Sequence, residues 1–225
     1  MGEAVTFKGN GQDVTGYLAR PRSGKGPGVV VIQEWWGLVP HIENIADRLA
    51  AEGFLALAPD LYHGAKTTEP DEAGRLLQQL EVPRAAKDMG GAVRFLLSHE
   101  AHTGDAVGSV GFCAGGWLSL VLATERPEVR AAVTFYGLLV KPQPDFSKLR
   151  GAVLGHFAEN DDMANADAVR QLDRKLTELG KEHTFHTYPG TTHAFFNDTR
   201  PEVHKKDAAE LAWRRTIDFF RQHLR

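Results

Sequence analysis

The chain of 225 residues has one cysteine, a small net charge and no long hydrophobic run. A single cysteine excludes an internal disulfide. The formal net charge of -3 gives no sign of the basic surface that binds nucleic acid or an anionic membrane. No apolar segment approaches the roughly 18 residues that a membrane span needs, and residues 1–8 lack the pattern of a signal peptide. These absences predict a soluble, cytoplasmic protein that acts on neither nucleic acid nor membranes.

Segments with the patterns of strands and helices alternate along the chain, with no repeat, low-complexity tract or linker between them. Apolar and polar residues alternate in segments 4–8 and 13–19, which flank an Asn-Gly turn and predict a hairpin. The other predicted strands are 28–33, 54–58, 107–112, 131–136, 152–157 and 182–188, and the predicted helices are 40–52, 71–80, 85–99, 117–123, 166–179 and 205–224. We therefore expect one α/β domain over residues 1–225, with a mostly parallel sheet and helices on both faces.

The chemistry of the chain centres on the junction between strand 107–112 and helix 117–123. Gly111, Cys113 and Gly115 have the spacing G-x-C-x-G, which is a form of the nucleophile elbow of the α/β-hydrolase fold. In this elbow a strand turns sharply into a helix, and small neighbours are needed because the backbone is strained and closely packed. The pattern predicts Cys113 as a nucleophile. The alternative is an ordinary buried thiol, since free cysteine is among the most buried residue types.

A nucleophilic thiol needs a base, because a free thiol is only slightly ionised at neutral pH. On an α/β-hydrolase sheet the nucleophile, acid and base follow in that order along the chain. Asp161 follows strand 152–157 and His193 follows strand 182–188, so both lie where ligands bind to such sheets. Asp162 and Glu159 are alternatives to Asp161. We expect three other histidines to be structural or exposed: His63, His156 and His204. We predict no metal site.

Six motifs of the chain resemble the dienelactone hydrolase family, and the resemblance runs from about residue 13 to the C-terminus. They are Gln33-Glu34, Ala58-Pro-Asp-Leu-Tyr62, Gly111-Phe-Cys-Ala-Gly-Gly116, Phe135-Tyr-Gly137, Glu159-Asn-Asp161 and Thr192-His-Ala-Phe195. The resemblance implies Cys113 as nucleophile, His193 as base and Asp161 as the acid that orients the base. It also implies Glu34 as a fourth member that restrains the thiol until substrate displaces the carboxylate. The alternative for Glu34 is a surface acid, or an acid that pairs with an arginine.

The remaining site residues are expected around the elbow. A tetrahedral oxyanion needs two backbone N–H donors, and we assign them to Ala114, directly after the nucleophile, and Trp35, after strand 28–33. Aromatic residues after strands are as often core as pocket, so the following are only candidates for an apolar substrate pocket: Trp35, Trp36, Tyr136, Phe195 and Phe196.

The chain departs from the family at one position. Dienelactone hydrolases hold the carboxylate of their substrate with arginines, one of them four residues after the catalytic histidine, where this chain has Asn197. Arg200, Arg75 and Arg84 are other candidates, but none falls on the motif. Since arginine recognises a carboxylate through a demanding two-point geometry, the asparagine calls the dienelactone substrate into question and leaves the chemistry intact.

These observations predict a cysteine-dependent hydrolase of small carboxylic esters or lactones that works through an acyl-enzyme intermediate. Such hydrolysis needs no cofactor, and its partner is a small-molecule substrate. We expect a monomer or a weak homo-oligomer. Two alternatives stay open: a hydrolase of thioesters or aryl esters, and a non-catalytic binding or redox-responsive protein of the same fold.

Overall fold

Eight strands form one sheet in the computed structural model, which describes residues 2–138 and 143–224. The strands are β1 (Glu3–Gly9), β2 (Gln12–Ala19), β3 (Gly26–Ile32), β4 (Leu55–Pro59), β5 (His102–Phe112), β6 (Val129–Phe135), β7 (Ala152–Asn160) and β8 (His183–Thr192). Their order across the sheet is β1-β2-β4-β3-β5-β6-β7-β8. The β1–β2 and β2–β4 pairs are antiparallel and the other pairs are parallel, which confirms the predicted α/β class.

Helices cover both faces of this sheet. In the described ranges they are α1 (Pro40–Ala51), α2 (Pro70–Gln79), α3 (Val82–Ser98), α4 (Ala114–Glu125), α5 (Ala166–Glu178) and α6 (Lys206–His223). Apolar side chains of α1 and α6 pack on one face, and those of α3, α4 and α5 pack on the other. Central strands are therefore apolar without alternation, and residues 29–32 of β3 are all 0% exposed. None of these helices has the length and apolar character needed to cross a membrane.

The carboxyl ends of the parallel strands meet at one edge of the sheet. In α/β sheets this edge is where ligands bind, because the loops that leave it converge on one crevice. The residues that follow the strand ends here include most of the predicted site: Glu34 and Trp35 after β3, Cys113 after β5, Tyr136 after β6, Asp161 after β7 and His193 after β8.

Several element boundaries differ from the prediction, and two of the differences have a clear physical reason. Pro83 lies in the first turn of α3 instead of separating two helices, because a helix tolerates the missing N–H of proline at that position. β5 begins at His102 rather than at residue 107. The prediction missed its first residues because they are largely polar and exposed and form no apolar run. The hairpin prediction is confirmed: Asn10 and Gly11 both have positive φ, 41° and 75°, as a tight two-residue turn requires.

Candidate active site

Cys113 stands at the turn between β5 and α4, where the backbone is strained. Its φ of 55° and ψ of -122° lie in a region that residues with side chains rarely adopt. The turn is held on both sides, because Cys113 N donates to Phe135 O at 3.0 Å and Gly116 N donates to Cys113 O at 2.9 Å. A Cβ on Gly111 would overlap Gly115 O, which explains the glycines of the motif. This geometry matches the nucleophile elbow that the spacing predicts.

His193 and Asp161 form a hydrogen-bonded pair at the same edge of the sheet. His193 Nδ1 lies 2.8 Å from Asp161 Oδ2. The other carboxylate oxygen, Oδ1, accepts from the backbone N–H groups of Met163 and Ala164 at 2.9 and 3.1 Å. A carboxylate only accepts hydrogen bonds, so Nδ1 carries a proton. This leaves Nε2 for the interaction of His193 with Cys113.

The two alternative acids are directed elsewhere. Asp162 is exposed to solvent, whereas Asp161 is buried. Glu159 is exposed as well, and its Oε2 accepts a hydrogen bond from the backbone of Gly190 at 2.8 Å. Of the three carboxylates that the sequence offers, the structure brings Asp161 to the histidine.

The surroundings of His193 favour its charged form. Burial alone would lower the pKa of His193, but the interactions with Asp161 and Cys113 outweigh burial and raise the pKa to about 10. Burial alone would raise the pKa of Asp161, but the hydrogen bond and positive charge of His193 and the two backbone donors lower it. His193 Nε2 is buried and has no hydrogen-bond partner among the described residues. Nε2 is the ring nitrogen left for the thiol, and the interaction with Cys113 contributes to the raised pKa of His193.

Glu34 is buried in the same crevice, and its partners differ from the sequence expectation. Its side chain is 3% exposed. Oε2 accepts a hydrogen bond from Asn197 Nδ2 at 2.8 Å, and Oε1 accepts a long one from the Tyr136 hydroxyl at 3.5 Å. Burial raises the pKa of Glu34, although the Asn197 hydrogen bond and the positive charges of His193 and Arg200 oppose that shift. The carboxylate therefore rests on Asn197 and Tyr136.

The three arginines that the sequence offers as carboxylate binders either pair with a glutamate or line a separate cavity. Arg75 pairs with Glu72 on the surface of α2 at 2.5 Å, and Arg200 pairs with Glu202 at 2.8 Å. Arg84 lines a small cavity of about 170 Å³ that also includes Tyr62. The position of the family's arginine is filled by Asn197, which is 2% exposed and holds Glu34.

The two predicted oxyanion donors lie on chain segments that touch each other. Ala114 is the first residue of α4, and the first N–H groups of a helix have no acceptor within the helix. A Cβ on Gly115 would overlap Gln33 O, so the start of α4 packs directly against the end of β3. Trp35 lies two residues beyond Gln33 in that loop.

The predicted aromatic pocket is only partly realised. Trp35 and Trp36 are half-buried, with ring centroids 4.8 Å apart in an edge-to-face arrangement. Tyr136 is 1% exposed, but its ring centroid lies 5.0 Å from that of His193 and its hydroxyl reaches Glu34. These three residues remain candidates for contact with substrate.

Phe195 and Phe196 belong to the core, which corrects their assignment to the pocket. They are 0% and 1% exposed. The Phe196 ring stacks on Phe112 at 5.3 Å, and the Phe195 ring packs 5.0 Å from that of Tyr188. Both rings are enclosed by other aromatic side chains and anchor the loop that follows His193.

Tyr62 is a further candidate that the sequence analysis did not assign to the site. Its side chain is half-buried, and burial together with the negative charge of Cys113 raises its pKa. The backbone N–H of Tyr62 donates to Asp60 Oδ1 at 3.0 Å, while Leu61 N donates to Gln33 Oε1 at 3.1 Å. The motifs at 58–62 and 33–34 were recognisable in the sequence, but the contact between them depends on the folded chain.

The other histidines singled out in the sequence lie outside the pair with Asp161. His63 Nε2 lies 3.2 Å from Asp88, and His204 is half-buried. His156 is fully buried, with hydrogen bonds to the Tyr188 hydroxyl and Thr216 Oγ1. Over residues 2–138 and 143–224, no group of three or more histidine, cysteine or acidic side chains is arranged to hold a metal ion.

The largest of the cavities described lies away from this chemistry. It measures about 790 Å³ and is lined by the β1–β2 turn, the outer faces of α3 and α4, and residues 143–145. None of the candidate site residues after the parallel strands is among the residues described as lining it. The site is therefore located by converging reactive side chains and not by cavity size.

Comparison with known proteins agrees with the motifs and the fold. The model of the dienelactone hydrolase family matches residues 14–224. The usf protein of Aquifex pyrophilus is 38% identical over 231 residues, with 100% of both chains covered. A protein of Aquifex aeolicus, named provisionally as a carboxymethylenebutenolidase, is 34% identical over 232 residues with the same full coverage. A Klebsiella pneumoniae crystal structure, named provisionally as a dienelactone hydrolase, is 26% identical, covers 99% of each chain and has a TM-score of 0.91.

The family match extends over nearly the whole chain and includes every motif described above. The sheet order and the strand-to-helix turn agree with the α/β-hydrolase fold of the structural relatives. The chain therefore belongs to the dienelactone hydrolase family and is a dienelactone hydrolase-like enzyme that acts on small molecules.

Proposed function

We propose that the chain hydrolyses small carboxylic esters or lactones through an acyl-enzyme intermediate on Cys113. The observation that carries this proposal is the geometry around the thiol. Cys113 sits on the strained turn, and His193, whose Nδ1 is held 2.8 Å from Asp161, interacts with the thiol. Nucleophile, base and orienting acid in this relation are the arrangement that acyl transfer requires.

In the first half of the proposed reaction the thiolate attacks the acyl carbon. A protonated His193, favoured by its raised pKa of about 10, stabilises the neighbouring thiolate. The C–S bond forms as the carbonyl electron pair moves onto oxygen, and the N–H groups of Trp35 and Ala114 bind the oxyanion. When the carbonyl reforms, the C–O bond breaks and His193 gives its proton to the departing oxygen. A simple ester releases an alcohol, whereas a lactone opens and stays attached.

In the second half water releases the acyl group. Neutral His193 takes a proton from a water molecule, and the water oxygen attacks the acyl carbon of the thioester. The second tetrahedral intermediate collapses with loss of the Cys113 thiolate, which leaves a carboxylic acid and restores the thiolate–imidazolium pair. Asp161 keeps the imidazole oriented and compensates its charge in both halves.

Glu34 is proposed as the group that restrains the thiol in the empty enzyme. A carboxylate close to sulfur disfavours the thiolate, and a less ionised thiol oxidises less readily. Tyr136 connects the two groups, because its hydroxyl reaches Glu34 and its pKa is raised by burial and by the negative charges of Glu34 and Cys113. The neutral Asn197 at the family's arginine position favours esters and lactones that carry no carboxylate.

The test is the rate of hydrolysis of p-nitrophenyl acetate and of a panel of small lactones by single variants. Cys113→Ala and His193→Ala are each expected to lower kcat/KM by several orders of magnitude, as removal of a triad member does. His204→Ala is the matched control, since that histidine is half-buried outside the site. Rates within a few fold of the unmodified protein would contradict the assignments. Absence of any turnover by the unmodified protein would favour the binding or redox-responsive alternative.

A further inference from the structure

We infer that the cavity of about 790 Å³ between α3, α4 and the β1–β2 turn is a second binding site, and that it takes a small organic phosphate. The cavity lies apart from the candidate active site. Cys113 directly precedes α4 and Arg126 directly follows it, so the two residues are roughly 20 Å apart along the helix. The inference therefore does not depend on ester hydrolysis.

Three positively charged side chains line this cavity. Lys87 and Arg94 lie on α3, where they have the spacing i, i+7 and share one helix face with Gly90. Arg126 reaches the cavity from the end of α4. In the part of the chain that the structure describes, no carboxylate lies within ion-pairing distance of Lys87 or Arg94. The cavity therefore holds positive charge that its own side chains do not neutralise by direct pairing.

The two guanidinium groups converge above Gly90. A Cβ placed on Gly90 would lie 3.8 Å from Arg94 Nη1 and 3.9 Å from Arg126 Nη1. Both nitrogens are therefore close to the same point, and the absence of a side chain on Gly90 leaves that point open. Arginine keeps its charge in proteins, so the two groups repel each other unless an anion lies between them.

Each arginine is held by its other terminal nitrogen. Arg126 Nη2 donates to Glu128 Oε1 at 2.6 Å, and the Arg126 side chain is 24% exposed. Its Nε is buried and has no hydrogen-bond partner among the described residues. Arg94 Nη2 donates a long hydrogen bond to Lys8 O at 3.4 Å. Nη1 is thus the nitrogen that each arginine directs to the point above Gly90.

Two carboxylates also line the cavity, and neither occupies this point. Asp145 Oδ1 accepts hydrogen bonds from the backbone N–H and the hydroxyl of Ser147, at 3.2 and 2.6 Å. Its Oδ2 lies 3.9 Å from Lys148 Nζ. Glu125 is exposed to solvent at the end of α4. The carboxylate of Asp145 is therefore engaged in its own turn, and the place between the arginines remains available to an anion.

The arrangement of the donors fits a phosphate group better than a carboxylate. A planar carboxylate is matched by two parallel N–H groups of one guanidinium. Here each arginine has Nη2 engaged and offers Nη1, so the donors come singly from separate side chains. The spread oxygens of a tetrahedral phosphate suit such donors.

The rest of the cavity fits a small apolar group. Its volume lies in the range of small-molecule sites and is much larger than a phosphate needs. Apolar side chains from both helices line it: Val82, Ala86 and Val121. The expected ligand is therefore a phosphate monoester with an apolar body.

Isothermal titration with phenyl phosphate near pH 8 tests the site. We expect the unmodified protein to bind it, and Arg94→Met to bind it about tenfold or more weakly, since a hydrogen bond between charged groups is lost. Arg94 is exposed and its one described hydrogen bond is long, so the substitution is compatible with the fold. Arg174→Met is the matched control, because it removes an exposed arginine of α5 outside the cavity. Its affinity should equal that of the unmodified protein.

Two further ligands separate the phosphate from the apolar body. Benzoate carries the same ring on a planar carboxylate and should bind about tenfold more weakly than phenyl phosphate. Inorganic phosphate lacks the ring and should bind more weakly than phenyl phosphate, with the same dependence on Arg94. A phosphate monoester loses one negative charge below about pH 6, so the affinity for phenyl phosphate should fall from pH 8 to pH 5.

His193→Ala distinguishes this cavity from the candidate active site, where an anion would depend on the charge of His193. The affinity for phenyl phosphate should not change in this variant. A loss in His193→Ala with none in Arg94→Met would place the ligand at the active site and overturn the inference. No binding by the unmodified protein, or equal losses in Arg94→Met and Arg174→Met, would overturn it as well. Equal affinities for benzoate and phenyl phosphate would refute the assignment of a phosphate.

Discussion

At the scale of single residues, the orientation of one imidazole decides what the site can do. Backbone donors from Met163 and Ala164 occupy one oxygen of Asp161 and leave the other for His193 Nδ1. The ring is thereby fixed with Nε2 left for Cys113, and its charged form is favoured. A base held in one tautomer and one orientation is what proton transfer to and from a nucleophile requires.

The raised pKa of His193 predicts a stability that falls with rising pH. The unfolded chain loses the His193 proton near the ordinary pKa of 6.5, whereas the folded protein keeps it up to about pH 10. The stabilisation is therefore complete below about pH 6.5 and is lost as the pH rises to about 10. The difference in melting temperature between the unmodified protein and His193→Gln should shrink over this window.

His204→Gln controls for the removal of a histidine outside the site, and its melting temperature should track that of the unmodified protein. A difference between the unmodified protein and His193→Gln that stays constant from pH 6.5 to pH 10 would show that His193 does not hold its proton as described.

The sequence could predict that Cys113, Asp161 and His193 lie at the same edge of the sheet, because each follows a strand whose apolar pattern is clear. It could not predict the contact of Asn197 with Glu34, since 163 positions separate the two residues and only the folded loop joins them. Phe195 illustrates another limit: an aromatic residue after a strand has the same pattern whether it lines a pocket or, as here, fills the core.

At the scale of elements, the site depends on how closely helices pack against backbone. α4 is apolar on every side and buried from Ala114 to Thr124, as expected for a helix enclosed by sheet and neighbouring helices. Its start touches the end of β3 at Gly115, and this contact brings the Cys113 and Trp35 segments together. α3 makes a similar approach to the end of β1 through Gly91.

Adjacent glycines in α3 provide a test of that packing. A Cβ on Gly91 would overlap Lys8 O, so Gly91→Ala should destabilise the protein by about 1–3 kcal/mol, as overpacking does. A Cβ on Gly90 would meet only side-chain atoms of Arg94 and Arg126, at 3.6 Å or more. Gly90→Ala should therefore stabilise the protein by about 0.5–1 kcal/mol through helix propensity.

Urea unfolding measures both variants, and each serves as the control for the other because they share a helix and a substitution. Equal effects of the same sign would contradict the close approach of α3 to β1. The sequence shows two adjacent glycines, but only the folded chain shows that one of them makes the close contact.

At the scale of the whole molecule, a buried polar network joins the neighbouring strands β7 and β8 to the last helix. Thr216 Oγ1 donates to Ala212 O within α6, so it accepts from His156 Nε2. His156 Nδ1 then accepts from the Tyr188 hydroxyl, and the ring is neutral. This network ties β7 and β8, which carry Asp161 and His193 at their ends, to α6.

The network predicts sensitivity to acid. Burial, together with the nearby charges of His186 and Arg215, lowers the pKa of His156 well below 6.5. The unfolded chain binds a proton there below about pH 6.5 and the folded chain does not, so stability falls as the pH falls through that value. His156→Gln should be less stable near pH 7 but should lose less stability on acidification.

The comparison requires urea midpoints near pH 7 and near pH 5.5, with His204→Gln as the control. An acid-induced loss of the same size in His156→Gln and in the unmodified protein would contradict the account of this network.

The central claim is that Cys113 carries the acyl group, and trapping that intermediate tests it most directly. The protein is mixed with p-nitrophenyl acetate, quenched in acid within the first turnovers, and its mass is measured intact and after digestion. The account predicts one acetyl group on the peptide that contains Cys113, and none in Cys113→Ala. Steady hydrolysis without an adduct, or an adduct on any other residue, would contradict it.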